Sequence, residues 1–428
     1  MLYGVEKGMP GGVVRAQGRL VINDWFWLLL PVAAASGWWV ARRLHPEDQG
    51  DQEPSLHRYL EGVRYLLDDR TDDALQAFIE MVEVDHETFE THVILGRLFR
   101  RRGEVDRAIR IHQNLVARPS LKDEQRAQAL NELGQDFLLA GVLDRAEAVF
   151  RELADSPHQA VPALKGLQHV YETQREWERA IEVGTRLKSH NVPNEHLRIA
   201  HYHCELATIA LEHGDRTTAS ERSVHAEELV PGLSRALLIK SEIAEREDRI
   251  ADAIAYGREA VARTPPLAPL VVPRLERLHQ ALPGENRLGQ LEQTLEDLAN
   301  SRGITVARIA LMRLYRRTGR LDAALSELGM ILSQRPVPTS GLLEAVRWMK
   351  ILPAVQEYSV EFAAFEKALS DQLGSQHLYQ CMNCGYQGRA HVWQCPSCRR
   401  WDTLRGLDFE LDASTEEAED ALVREGTR

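Results

Sequence analysis

The chain has 428 residues, of which 44% are hydrophobic, 6% aromatic and 27% charged, with a formal net charge of −12 at pH 7. An Ala-, Leu-, Glu- and Arg-rich composition with few aromatics favours helix nearly throughout, so the expected fold class is all-α rather than two mixed cores. The negative balance would repel a polyanion, so nucleic acid is not an expected partner.

Residues 1–23 carry Gly and Pro punctuation without periodicity and read as an N-terminal extension, consistent with a start site near Val21 or Ile22 from a non-standard codon. Residues 24–41 read as a transmembrane helix: Trp25 to Ala41 (WFWLLLPVAAASGWWVA) is free of charge and is followed at once by Arg42 and Arg43. Seventeen helical residues rise roughly 25 Å, close to the roughly 30 Å of a hydrocarbon core. Trp25 and Trp27 at one end and Trp38 and Trp39 at the other fit the two headgroup levels, and the Arg pair favours a cytoplasmic C-terminal flank. A signal peptide ending at Ala33–Ala35 is the competing reading, opposed by the thiols downstream. A helix lying flat in the interface would need a charged face, which this stretch lacks.

After a polar linker, 42–55, the segment 56–374 follows a helix-turn-helix period of about 34 residues, the tetratricopeptide length. The clearest unit is LGRLFRRRGEVDRAIRIHQNL, with Leu95, Gly96, Phe99, Gly103, Ala108 and Leu115 at that spacing. Small residues at Gly96 and Ala108 let two antiparallel helices approach, with Phe99 filling the space between them. The frame recurs at Gly62, Gly134, Gln168, Ala207, Ser241 and Met312. The Pro-rich TPPLAPLVVPR marks a degenerate unit over about 270–300, and helical stretches near Gly341–Ile351 and Ser359–Leu373 complete or cap the stack.

Such a stack presents a concave surface built from the first helix of each pair, suited to a peptide or protein. Arg97, Arg100, Asn131, Gln135, Lys165, His169 and His201, together with Cys204, are the residues expected to face it, each with a competing reading as an ordinary solvated or packed position. The HYHC run at His201–Cys204 is not expected to bind metal, because its spacing scatters the side chains around the helix axis.

The strongest local chemistry lies in residues 375–406, where Cys381-x-x-Cys384 and Cys395-x-x-Cys398 enclose a ten-residue gap. Two-residue gaps let both thiolates of a pair face one ion, Gly385 permits the positive-φ turn, and two pairs close a tetrahedral site for one structural metal, zinc in preference to iron. A segment this short cannot fold on its own core, so the metal organises it. Tyr379, Tyr386, Trp393 and Trp401 are available to pack the ribbon on itself or on the last helices, which places it at the end of the solenoid. Residues 407–428 form an acidic tail with a disordered composition. No phosphate loop, nucleophile elbow or zinc-protease motif occurs, so no enzyme activity and no catalytic residue are expected.

Taken together, LLLPVAAASGWW, LGRLFRRRGEVDRAIRIHQ, AHYHCELA, CMNCGY, CPSCRRW and RGLD make the chain, from about Asp24 to Asp408, resemble the lipopolysaccharide assembly protein B family of Gram-negative bacteria. The resemblance implies a tetratricopeptide solenoid with one N-terminal transmembrane helix and a rubredoxin-like ribbon that packs on the repeats. It implies a single-pass inner-membrane adaptor with repeats and ribbon on the cytoplasmic side. Its partners would be an FtsH-type membrane protease, an LpxC-type deacetylase delivered to it for degradation, and other lipopolysaccharide assembly proteins. Only Cys381, Cys384, Cys395 and Cys398 carry over by position. A general envelope-assembly scaffold and a rubredoxin-type redox protein are the alternatives, and homo-oligomerisation stays open.

Overall fold

The computed structural model describes residues 34–36, 39, 52–68, 70–84, 89–302, 304–335, 337–350, 358–375 and 379–406. Nearly all of the expected membrane segment 24–41, the extension 1–23 and the tail 407–428 lie outside the described residues. Among the described residues no helix is long and apolar enough to cross a membrane. The chain divides into two compact units, 1–118 and 119–428.

In the first unit, α1 (Gln52–Leu67) pairs with α2 (Thr71–Val84) and α3 (Phe89–Arg101) with α4 (Val105–Val116). α1 starts inside the stretch 42–55 read as linker; Pro54, a breaker in sequence, is tolerated in a first helical turn, where its missing N–H has no intrahelical partner to lose. The helices meet where the repeat frame places its small residues. A Cβ on Gly62 would lie 2.8 Å from the Phe78 ring, and one on Gly96 would collide with His112. Phe78, Leu95, Leu98, Phe99 and Ala108 form one buried cluster spanning both pairs.

The second unit continues the pairing with α5 (Asp123–Leu139) and α6 (Leu143–Leu153), α7 (Ala160–Gln174) and α8 (Trp177–Ser189), α9 (Glu195–Glu212) and α10 (Arg216–Leu229), and α11 (Ser234–Arg246) and α12 (Ile250–Arg263). The alanine expected near the start of each second helix is fully buried in every clear repeat: Ala74, Ala108, Ala146, Ala180, Ala219, Ala253 and Ala324 are each 0% exposed. Any larger side chain there would force the helices apart. Where the facing position is Ser241 rather than Gly, its hydroxyl donates across the pair to Ala253 O at 2.7 Å.

The turn between paired helices is equally regular. The N–H of Glu104 donates to Phe99 O, Val142 to Phe137 O, Glu176 to Tyr171 O and Arg320 to Tyr315 O, all at 2.9 Å. This six-to-one bond closes a Schellman turn and needs a left-handed residue just before the donor. Gly103, Gly141 and Gly319 supply it, and Arg175 adopts φ 58° in the fourth repeat.

The degenerate unit opens with a 3₁₀ turn at Pro265–Leu267, followed by α13 (Ala268–Ala281) and α14 (Arg287–Arg302). Here buried His279 bridges Leu275 O at 2.7 Å and the Thr294 hydroxyl at 3.2 Å, a polar link in place of a small-residue crossing. α15 (Thr305–Arg317) and α16 (Leu321–Ser333) restore the regular repeat, and α17 (Thr339–Met349) packs against α18 (Ser359–Ser375), with Glu366 of α18 accepting from Arg347 at 3.1 Å and Lys350 at 2.5 Å.

The C-terminal ribbon is a small antiparallel sheet of β1 (Tyr379–Cys381), β2 (Gln387–Gly388) and β3 (Leu404–Gly406) in the order β2-β1-β3. Tyr379 pairs with Gly388 on one side and Gly406 on the other, and Cys381 pairs with Leu404.

Candidate metal centre

Each Cys-x-x-Cys pair folds into a tight knuckle. In the first, Gly385 N donates to Cys381 O at 2.9 Å and Cys381 N to Tyr386 O at 2.7 Å, with Gly385 at φ 75° as its position requires. The second repeats the pattern: Arg399 N donates to Cys395 O at 2.8 Å and Cys395 N to Arg400 O at 2.9 Å. Its left-handed residue is Arg399, at φ 59°, a conformation that costs a side-chain-bearing residue roughly 1–2 kcal/mol.

The knuckles bring the four sulfurs together within 4.8 Å of one another. Cys381 and Cys398 Sγ are 3.7 Å apart, as are Cys384 and Cys395 Sγ. Zinc–sulfur bonds of about 2.3 Å in a tetrahedron require sulfur separations of about 3.8 Å, so these side chains fit one four-coordinate ion with no open position. Burial raises the Cys381 thiol, but the Thr403 hydroxyl, at 3.2 Å, and the N–H groups of Asn383 and Cys384 outweigh it and bring the thiol down to about 6. Burial pushes Cys395 the other way, up to about 12, against the N–H groups of Cys398 and Ser397. A cation among the sulfurs would favour the thiolate form of all four.

The ribbon does not rest on the end of the stack, as the sequence suggested. It covers the first helices of three central pairs, α7, α9 and α11. Trp401, 5% exposed, stacks on His201 at 5.0 Å and meets Trp177 and Tyr202 edge-on at 6.1 and 5.8 Å. Arg235 of α11 lies over both Trp393 and Trp401, at 5.5 and 5.7 Å, and donates to Glu205 at 2.8 Å. The physical reason for this placement is that Trp401 needs an apolar wall with an acceptor set into it for its indole N–H. Glu172 provides that acceptor, taking the Trp401 Nε1–H at 3.2 Å. The same carboxylate accepts from Gln394 at 3.1 Å, from Arg198 at 3.1 Å and from the Tyr202 hydroxyl at 2.6 Å, and lies 3.6 Å from the Arg399 guanidinium.

Three of the residues expected on the concave surface therefore have different surroundings from one another. His201 is not on an open face: it is fully buried under the ribbon's own Trp401, and burial, then Arg235, hold its imidazole well below the usual range. His169, one turn before Glu172 on α7, is half-buried and lowered by burial and by Arg399 of the ribbon. Lys165 is exposed on the same helix. Asn131 is buried and Gln135 half-buried on α5, while in the first unit Arg97 is exposed and Arg100 half-buried on α3. Within the HYHC run the rings diverge: His201 meets Trp401, and His203 faces His225 at 5.5 Å. Cys204 is buried and its thiol pushed up to about 12 by burial. Sequence reasoning missed Glu172, Trp177, Arg198, Arg235 and Gln394, which read locally as surface or core positions. The one available signal was the tryptophan pair in the ribbon, too large for a domain of this size to cover by itself.

Residues 379–405 match a family described as a rubredoxin metal binding domain, and residues 91–127 and 204–268 match tetratricopeptide repeat families. Among solved structures, the C-terminal part of a tetratricopeptide repeat-containing protein from Cytophaga hutchinsonii aligns with a TM-score of 0.38 at 10% identity, covering 66% of this chain and 98% of that one. Lipopolysaccharide assembly protein B of Haemophilus influenzae is 30% identical over 390 residues, 88% of this chain and 96% of its own length. The protein of the same name from Escherichia coli K12 is 33% identical over 402 residues, 89% of this chain and 98% of its own length. With helical repeats, a four-cysteine ribbon and a match of this extent, the chain belongs to the lipopolysaccharide assembly protein B family.

Proposed function

We propose that the chain is a non-enzymatic adaptor of the inner membrane that regulates lipopolysaccharide assembly by promoting degradation of an LpxC-type deacetylase by an FtsH-type protease. The observation that carries this reading is the near full-length match to proteins named for lipopolysaccharide assembly. The site chemistry is consistent with it: four thiolates that close a tetrahedron leave no position for substrate, so the metal serves architecture, and the helical repeats offer binding surfaces. An N-terminal anchor over 24–41 would confine the adaptor to the plane of the membrane protease and raise the effective concentration of a captured client. The zinc-ribbon resemblance to rubredoxin keeps one rival open, an iron-bearing redox protein, which a red, redox-active visible spectrum of the purified chain would favour.

The test is the half-life of the deacetylase after a block of protein synthesis. Depleting the chain, or deleting residues 24–41, is expected to lengthen it. Unchanged turnover in the depletion strain would refute the adaptor function, and unchanged turnover in the deletion alone would refute the anchor's part in it.

A further inference from the structure

The two halves of the metal site are not built alike. The first knuckle is self-sufficient: its left-handed position is Gly385, and a Cβ there would meet nothing within 4 Å. The second places Arg399 in the equivalent left-handed position and so depends on something that pays for the strain.

Glu172 meets the second knuckle and the two residues that flank it at three points. Its Oε2 accepts from Gln394, the residue before Cys395, and lies 3.6 Å from the guanidinium of Arg399, the residue after Cys398. Its Oε1 accepts from Trp401. Gln394 Nε2 also reaches the Arg399 carbonyl at 3.2 Å, so one amide ties the strained residue to the carboxylate. Glu172 is itself immobilised, its side chain 1% exposed and held by Tyr202 and Arg198. Among the described residues, no hydrogen bond or ion pair in the structure joins a helical side chain to the first knuckle, Cys381–Tyr386, in the same way.

We infer that Glu172, on a helix more than two hundred residues upstream in sequence, is a positioning residue for the Cys395–Cys398 half of the metal site, so that the repeats hold the metal through it. A carboxylate is needed because every neighbour donates. A glutamine amide would present an NH₂ to Trp401, Gln394 or Arg399 and leave at least one donor unpaired. Loss of the tie frees Arg399 to leave the left-handed region, and Cys395 and Cys398 then sample geometries that no longer close the tetrahedron. Metal should leave through this half first. Outer-shell partners of metal ligands typically change metal affinity by about 10–100-fold.

The inference rests on the four sulfurs holding zinc, not on the proteolytic role. The experiment uses the full chain in detergent, with zinc content measured first, and follows zinc release to a chromogenic chelator. Glu172→Gln and Gln394→Ala are each expected to shorten the release half-life, Glu172→Gln by about tenfold or more. Glu147→Gln, which removes a carboxylate that Arg151, Arg179 and Tyr171 share away from the ribbon, is expected to leave it unchanged. Far-ultraviolet circular dichroism at the assay temperature checks that the repeats stay folded. If Glu172→Gln does not fold, Gln394→Ala, which leaves the repeats untouched, decides the matter. Zinc release at the wild-type rate from the folded variants would overturn the inference, as would equal acceleration by Glu147→Gln. A chain isolated without any zinc would instead overturn the zinc assignment beneath it.

Discussion

Replacing Trp401 by Ala tests whether the ribbon is held on the repeats mainly by one aromatic side chain. Trp401 is 5% exposed and is enclosed by Trp177, His201, Tyr202 and Arg235. A side chain of that size buries roughly 150–250 Å², worth about 4–6 kcal/mol at ~25 cal/mol per Å² before the alanine retained is subtracted. Core Trp→Ala substitutions, which include the cavity left behind, cost about 3–5 kcal/mol. Glu172 would lose one donor but keep Tyr202, Arg198 and Gln394, so desolvation of the carboxylate adds little. At about 1.4 kcal/mol per power of ten, the docked form should lose roughly two to three and a half powers of ten in population over the undocked one. Hydrogen–deuterium exchange reads this directly: peptides from 160–174, 195–212 and 379–406 should lose protection, while those from 305–333 should not. Trp401→Phe keeps the apolar contact and loses only the N–H to Glu172, which retains its other donors, so it should show a smaller loss, about 0.5–1.5 kcal/mol. Protection of all three regions in Trp401→Ala equal to that of the wild type would refute the reasoning.

Two further outcomes follow from the packing and from the buried histidines. A Cβ at Gly134 would lie 2.6 Å from the Phe150 ring, which is boxed in on its other side by Gly166, so Gly134→Ala should destabilise by about 1–3 kcal/mol despite a gain in helix propensity; a thermal midpoint at or above the wild-type value would contradict this. Burial, then Arg222 and His225, lowers His203 to about 4, while an unfolded histidine titrates near 6.5. Between those values the unfolded chain binds a proton that the folded chain does not, so stability falls as pH drops from about 6.5 toward 4. His201 and His391 are shifted in the same direction and add to the fall. His203→Gln should flatten the decline in thermal midpoint between pH 7 and pH 5, and an unaltered decline would remove His203 as a contributor.

The parts of this protein that could be read directly are those encoded by short-range spacing. A helix pair closed by a small residue at Gly96, an alanine at Ala108 and a left-handed glycine at Gly103 is a local pattern, so the repeat period announces itself whatever the partner. Two Cys-x-x-Cys pairs likewise define a metal site, because the two-residue gap already fixes where the sulfurs point. Pro54 and the Pro-rich stretch at 264–274 were harder, since proline in a first helical turn and proline at a true break look the same in sequence.

The site of ribbon docking was decided only by the tertiary structure. Glu172, His201, Arg235 and Trp401 are far apart in the chain, and each has an unremarkable local reading: a surface carboxylate, a packed histidine, a solvated arginine, a tryptophan turned inward on its own small domain. Helical periodicity says which face of a helix points inward, but not what lies against it. The ribbon's place is set by the complementarity of one buried acceptor with the indole, amide and guanidinium donors that approach it. Such complementarity arises only when the repeats have stacked, so that side chains of α9 reach Glu172 on α7 and Arg235 of α11 reaches α9. For that reason the sequence alone established the four thiolates and the repeats, and the folded chain alone revealed that they are joined at Glu172.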